Sequence, residues 1–259
     1  MTGDASDDAF LGGAIRILQP TRGYRAGIDA VLLAAAAPVE PGGEGVLDVG
    51  AGVGVVGLAV ARRCGDARLT LVERDPTLAA LARANVERNA LVDRVRVVVS
   101  DIRRPLSELS GLSAEAESFD HVLANPPFHV EGAGTAAADA IKAGANAMPE
   151  GSLQRWVRFM AAMVRPGGTT TLIHRPDALE EILSAYAARF GGTLVLPIHP
   201  RSGEPAARVL VQGTKGSRAP MTLQAGIVLH NADHTFRPEI DAILRNGAAL
   251  DLGNRLRRP

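Results

Sequence analysis

Asn125-Pro126-Pro127-Phe128 is the stretch of this 259-residue chain whose residue types most restrict the chemistry it can do. The asparagine amide offers an acceptor oxygen and two donor hydrogens. Two prolines in a row have no N–H to give, and they fix the direction of the Pro126 carbonyl; Phe128 then adds a flat apolar face. These parts suit the holding of a planar, amino-bearing group, with oxygens aimed at its N–H bonds and a ring stacked on its face. Further positions fit a nucleotide-like ligand. Gly50, Gly52 and Gly54 alternate where a strand must turn sharply into a helix, leaving backbone N–H groups free to approach a ligand. Glu73 follows roughly twenty residues later, where an acid can accept from both hydroxyls of a ribose. Asp101-Ile102 sets a carboxylate for an exocyclic amino group beside an apolar side chain for a ring. Gly52-Val53-Gly54-Val55-Val56-Gly57 also spells the dinucleotide fingerprint, so the glycines alone admit NAD as readily as adenosylmethionine.

The elements that must position these residues follow from pattern and punctuation. Residues 119–124 read as a buried strand that cannot run on into two prolines, so Asn125 sits at its carboxyl end, the edge where open α/β sheets bind ligands. Strands at 46–49, 68–72 and 95–99 deliver the glycine turn, Glu73 and Asp101, with helices at 55–63 and 76–89 between them. An amphipathic helix spans 152–164, Arg165-Pro166-Gly167-Gly168 breaks it, and a strand follows at 169–173. Asp177 is placed to cap a helix running to about residue 189 that Gly191-Gly192 stops. Strands at 193–198 and 207–212 have no helix between them and should pair antiparallel; a strand at 226–229 and a helix at 238–245 complete the chain. Upstream, the acidic residues 1–12 are expected to be poorly ordered, 11–18 to hold a short strand, and Asp29 to cap a helix over 30–37. Residues 129–151 are long for a loop and read as a lid or recognition segment, with His129 a rim contact. The fold class is α/β, a mostly parallel sheet with an antiparallel end.

Composition limits the partners. The 28 basic and 28 acidic side chains cancel, so no global field draws the chain to nucleic acid or membrane, and any polyanion must meet a local patch. The basic residues available for one are Arg22 and Arg25, Arg201 and Arg208, Lys215 and Arg218, and Arg255, Arg257 and Arg258. Cys64 stands alone, which excludes an internal disulfide and any multi-cysteine metal site; no metal site is expected. The start of the chain carries Asp4, Asp7 and Asp8 rather than a basic leader, and the expectation is a soluble, cytoplasmic protein with no membrane partner.

Asn125-Pro126-Pro127-Phe128 resembles the Asn-Pro-Pro-aromatic signature of S-adenosylmethionine-dependent methyltransferases that act on exocyclic or amide nitrogens. The order of elements resembles the seven-stranded Rossmann-like methyltransferase fold. Gly27-Ile28-Asp29-Ala30-Val31-Leu32-Leu33, together with that signature and His234-Thr235-Phe236-Arg237-Pro238-Glu239, is similar to the bacterial tRNA adenine N6-methyltransferases that modify the adenine beside the anticodon of a valine tRNA, though His234 stands where that family has tyrosine. The resemblance implies an extension over residues 1–44 packed on a methyltransferase domain over 45–259. It implies S-adenosyl-L-methionine as cofactor, bound through Asp29, Asp48, Gly50, Gly52, Gly54, Glu73, Asp101, Ile102 and Asn125. Asn125, Pro126, Pro127 and Phe128 become the catalytic set, and a tRNA the partner, met through local basic patches, with no oligomeric state implied. The same signature serves methylation of a guanine in ribosomal RNA or of a protein glutamine amide. An NAD-dependent oxidoreductase gives residues 125–128 no task, and a non-catalytic RNA-binding module leaves them idle.

Overall fold

The computed structural model describes residues 5–23, 25–109, 111–130, 147–148 and 152–252. The segment read as a lid lies, for residues 131–146 and 149–151, outside the described residues, as do Arg255, Arg257, Arg258 and the side chain of His129.

Thirteen strands and six α-helices are described. The hairpin β1 (Ala5–Phe10) and β2 (Ile15–Pro20) leads to α1 (Ile28–Ala36). Then β3 (Gly45–Val49), α2 (Val55–Arg63), β4 (Arg68–Glu73), α3 (Pro76–Arg88) and β5 (Val95–Val99) wind along one half of the sheet. The second half is β6 (Phe119–Ala124), the short β7 (His129–Val130) and β8 (Ala147–Met148), α4 (Ser152–Met163), β9 (Val164–His174), α5 (Leu179–Ala187), β10 (Phe190–His199) and β11 (Arg208–Lys215). Two-residue strands β12 (Thr222–Leu223) and β13 (Ile227–Val228) precede α6 (Pro238–Asn246).

The main sheet runs β12-β10-β11-β9-β6-β3-β4-β5, with β13 also on β10. Its seven long strands have the expected form, and the count of nine comes from β12 and β13. β3, β4, β5, β6 and β9 are parallel, and β11 lies antiparallel between β9 and β10. The winding reverses between β3 and β6, which opens a crevice at their carboxyl ends. Alternation along each strand sorts side chains to two cores. Val46, Leu123 and Ile173 face α1 and α2 on one side, while Leu47, Val122 and Leu172 face α4 and α5 on the other.

Several expectations are corrected. Residues 5–10 form a strand, because the carboxylates that read as disorder are paired: Asp7 with Arg16 and Arg88 at 3.0 and 2.8 Å, Asp8 with Arg25 at 2.6 Å. The strand expected over 11–18 starts at Ile15, and Leu11–Gly13 is the turn. Asp29 caps nothing: α1 begins at Ile28, two residues before the expected start, with Gly27 at its cap position. Asp177 lies in a 3-10 turn ahead of α5 and does not cap it. Gly191 and Gly192 stop no helix but lie inside β10, at a break in its register with β11. Arg165–Gly168 is absorbed as a bulge at the start of β9, opposite Asp120, whose carboxylate takes the Arg165 Nε–H at 2.5 Å.

Candidate active site

Sheet register assembles the site. Val49 lies opposite Val72 of β4 and Ala124 of β6, so Gly50, Glu73 and Asn125 emerge side by side. Ala124 also pairs with Leu172, which brings Ile173 and His174 up on the far side of Asn125.

On the β3 side, the turn is held from beneath by two acids. Gly50 and Ala51 both donate to the Val72 carbonyl, at 2.8 and 2.9 Å. Glu73 is buried; its two oxygens take the N–H of Gly52 and of Asp75, each at 2.8 Å, so the acid expected to meet a ribose also pins the turn beneath it. Asp48, 1% exposed, points inward and accepts the Gly57 N–H at 3.0 Å, standing in for the missing side-chain cap of α2. Burial pushes its carboxyl up to about 7, eased by the Gly57 N–H and reinforced by the neighbouring charge of Glu73. Asp101 is clamped by Arg103, whose guanidinium holds the carboxyl below its usual range against partial burial. Ile102 is half-buried against the α4-side core.

Gly50 has φ +69°, and a Cβ there would stand 2.3 Å from the Trp156 indole of α4. No other residue type lets that ring lie on the turn, the face expected from the sequence to take a cofactor.

On the β6 side, Asn125 is half-buried and its Oδ1 is fully buried without a hydrogen-bond partner. A buried acceptor left unpaired is costly, so an N–H is owed to it. Phe128 is held by residues from three other elements. The Arg208 guanidinium lies 4.8 Å from its ring centroid, and the His174 ring meets it edge-on at 5.0 Å and 89°. Arg208 Nε donates to Asp29 Oδ2 at 2.8 Å, and His174 Nε2 lies 3.4 Å from the Pro127 carbonyl. His174 Nδ1 is buried and unpartnered. Burial lowers the imidazole from its ordinary value, against the pull of the Pro127 carbonyl and the Arg175 backbone, which keeps the ring neutral.

Asn125, Gly50, Gly52 and Glu73 therefore come together, and Asp101 stands at the next strand end. Asp29 arrives on the opposite flank, through Arg208. His174 and Trp156, which the motifs do not point to, also line the site, and so does Arg208, expected only as one of the basic-patch residues. His174 ends a parallel strand, and the rule that ligands gather at strand carboxyl ends would have found it. The described basic residues do not all share one face. Lys215 ends β11 at the opposite edge of the sheet, where its ammonium donates to the Ala161 and Val164 carbonyls at the end of α4.

Residues 27–157 match the family model described as methyltransferase small domain. A tRNA1(Val) (adenine(37)-N6)-methyltransferase from Porphyromonas gingivalis is 30% identical over 83% of this chain and 85% of that protein. Another of the same name, from Aeromonas hydrophila, is 29% identical over 82% of this chain and 85% of its own length. Among solved structures, a predicted O-methyltransferase from Agrobacterium tumefaciens is 33% identical, covers 86% of this chain and 98% of its own, and superposes with a TM-score of 0.71.

Proposed function

The chain belongs to the methyltransferase small domain family and is an S-adenosyl-L-methionine-dependent methyltransferase; from that premise we propose that it methylates the N6 amino group of an adenine in tRNA. The observation that carries the proposal is the Asn125 amide oxygen, buried and unpaired at the end of β6 beside the glycine turn. The relatives named for tRNA adenine methylation, matched along most of their length, support the choice of acceptor.

The amino group of adenine is a poor nucleophile because its lone pair is drawn into the ring. Asn125 Oδ1 and the Pro126 carbonyl accept its two N–H bonds, which localises the lone pair and aims it. Phe128 stacks on the base and fixes its plane. Bound S-adenosyl-L-methionine supplies a methyl group on a positively charged sulfur, for in-line transfer to that nitrogen. The turn at Gly50, Gly52 and Gly54 takes the methionine portion, Glu73 the ribose and Asp101 with Ile102 the adenine of the cofactor. Asp48 acts from below, by holding the start of α2. No strong base is needed, since the proton leaves after transfer. An amide in this position suits an N–H acceptor, whereas a hydroxyl acceptor calls for a group that takes up its proton. The base must stand outside a duplex to enter, and an anticodon loop allows that at little cost.

Asn125→Ala is expected to leave the affinity for S-adenosylhomocysteine within about twofold while turnover falls by about two to three orders of magnitude. Labelled cofactor supplied with bulk tRNA, ribosomes or a release factor identifies the acceptor: label in N6-methyladenosine of the tRNA fraction supports the assignment. Label in ribosomal RNA or in protein, or unchanged turnover of the variant, removes it.

A further inference from the structure

We propose that Asp29, Arg208 and His174 form a positioning network for the acceptor, with Arg208 laid on one face of Phe128 so that the other face is left for the base. The inference rests on the reading of Phe128 as the acceptor's stacking ring, and it moves Asp29 from the cofactor side to the acceptor side.

Phe128 needs such support. It stands four residues beyond the end of β6, and a free aromatic side chain would lose rotamer freedom each time it stacked on a base. Its surroundings remove that freedom beforehand. The guanidinium of Arg208 lies over the ring at 4.8 Å, where a cation is drawn to the electron-rich face, and His174 meets the ring edge at 5.0 Å. Neither neighbour is itself loose. Arg208 is the first residue of β11 and gives Nε–H to Asp29 at 2.8 Å and Nη1–H to the Ala207 carbonyl at 2.8 Å. His174 is the last residue of β9, paired in register with Val209, and reaches the Pro127 carbonyl at 3.4 Å. Pro127 has only a carbonyl to offer, so that contact places the imidazole proton on Nε2 and leaves Nδ1 as a buried lone pair. Three elements distant in the chain, β9 and β11 directly and α1 through Arg208, thus support one ring, each anchored in regular structure rather than in the loop that carries it.

The network predicts an effect routed through Phe128 and confined to the acceptor. Arg208→Ala, Phe128→Ala and the double variant are compared by steady-state kinetics with labelled cofactor and unfractionated tRNA, and by calorimetric titration with S-adenosylhomocysteine. Arg208→Ala should lower kcat/KM for tRNA about tenfold, chiefly through KM, with the affinity for S-adenosylhomocysteine unchanged. In the double variant it should add less than about twofold to the loss from Phe128→Ala, because residues that act through one another are not additive. Arg208→Lys should recover most of the loss, and Asp29→Asn, which keeps the shape of the pair, should show the same acceptor-only defect in weaker form. Additive losses, or weakened binding of S-adenosylhomocysteine in Asp29→Asn or Arg208→Ala, would overturn the network while leaving the tRNA assignment in place. Absence of transfer from wild-type enzyme to any tRNA would take down that assignment and the network with it.

Discussion

Asp48 shows how a single buried acid can serve a site it does not touch. It sits under the glycine turn, and its oxygen completes the amino end of α2, which begins at a left-handed Gly54 with no side-chain cap of its own. Glycine at position 57 leaves room for this, since a Cβ there would fall 2.2 Å from a Leu71 methyl and displace that buried side chain. With its carboxyl raised to about 7 from an ordinary 3.8, the folded protein holds this proton more tightly than the unfolded chain does. Stability from this group is therefore complete below about pH 4 and is lost as pH rises through 7, with a limiting slope of about 1.4 kcal/mol per pH unit. Urea midpoints at pH 5 and pH 8 should show a fall for the wild type that Asp48→Asn reduces. An equal fall in both proteins would mean that the Asp48 proton is not held in the folded state.

At the scale of elements, the hairpin β1–β2 depends on one side chain from α3. Asn85 is fully buried; its Oδ1 takes the Leu18 N–H at 2.7 Å, and its Nδ2 gives to the Leu18 and Val53 carbonyls at 3.0 Å each. The same amide thus ties the hairpin to the loop that turns from β3 into α2. Asn85→Ala would strand three backbone groups, one buried and two part-buried, and should cost about 3 kcal/mol in denaturant unfolding, with faster amide exchange along β2. Asn89 makes the parallel contact to Arg16 at an exposed position, where its bonds are replaced by water, and Asn89→Ala should cost less than about 1 kcal/mol. Similar losses at the two sites would show that burial is not what gives Asn85 its weight.

Across the whole molecule, what could be read in advance was local and what could not was distant. β6 ends where two prolines forbid its continuation, and α2 runs over the residues its glycine turn and apolar pattern mark out, because proline, glycine and side-chain period act within a few residues. The hairpin was misread because Asp7 finds Arg16 nine positions along and Arg88 eighty-one positions along, and composition alone shows only uncompensated acid. Asp29 looked like a cap because the guanidinium it serves lies 179 positions away, brought near only by the antiparallel return of β11. The motif residues 125–128 were legible as a group, but the neighbours that hold Phe128 come from three other elements and share no spacing.

The indole of Trp156 rests on Gly50, and it is the only one in the protein. Every photon emitted by tryptophan in this chain therefore comes from a single spot, the lip of the turn proposed to take the methyl donor. Titration with S-adenosylhomocysteine should shift or quench that emission with the same midpoint as calorimetry, giving an optical gauge of occupancy without any added dye. An emission indifferent to saturating ligand would mean that the donor settles away from this turn.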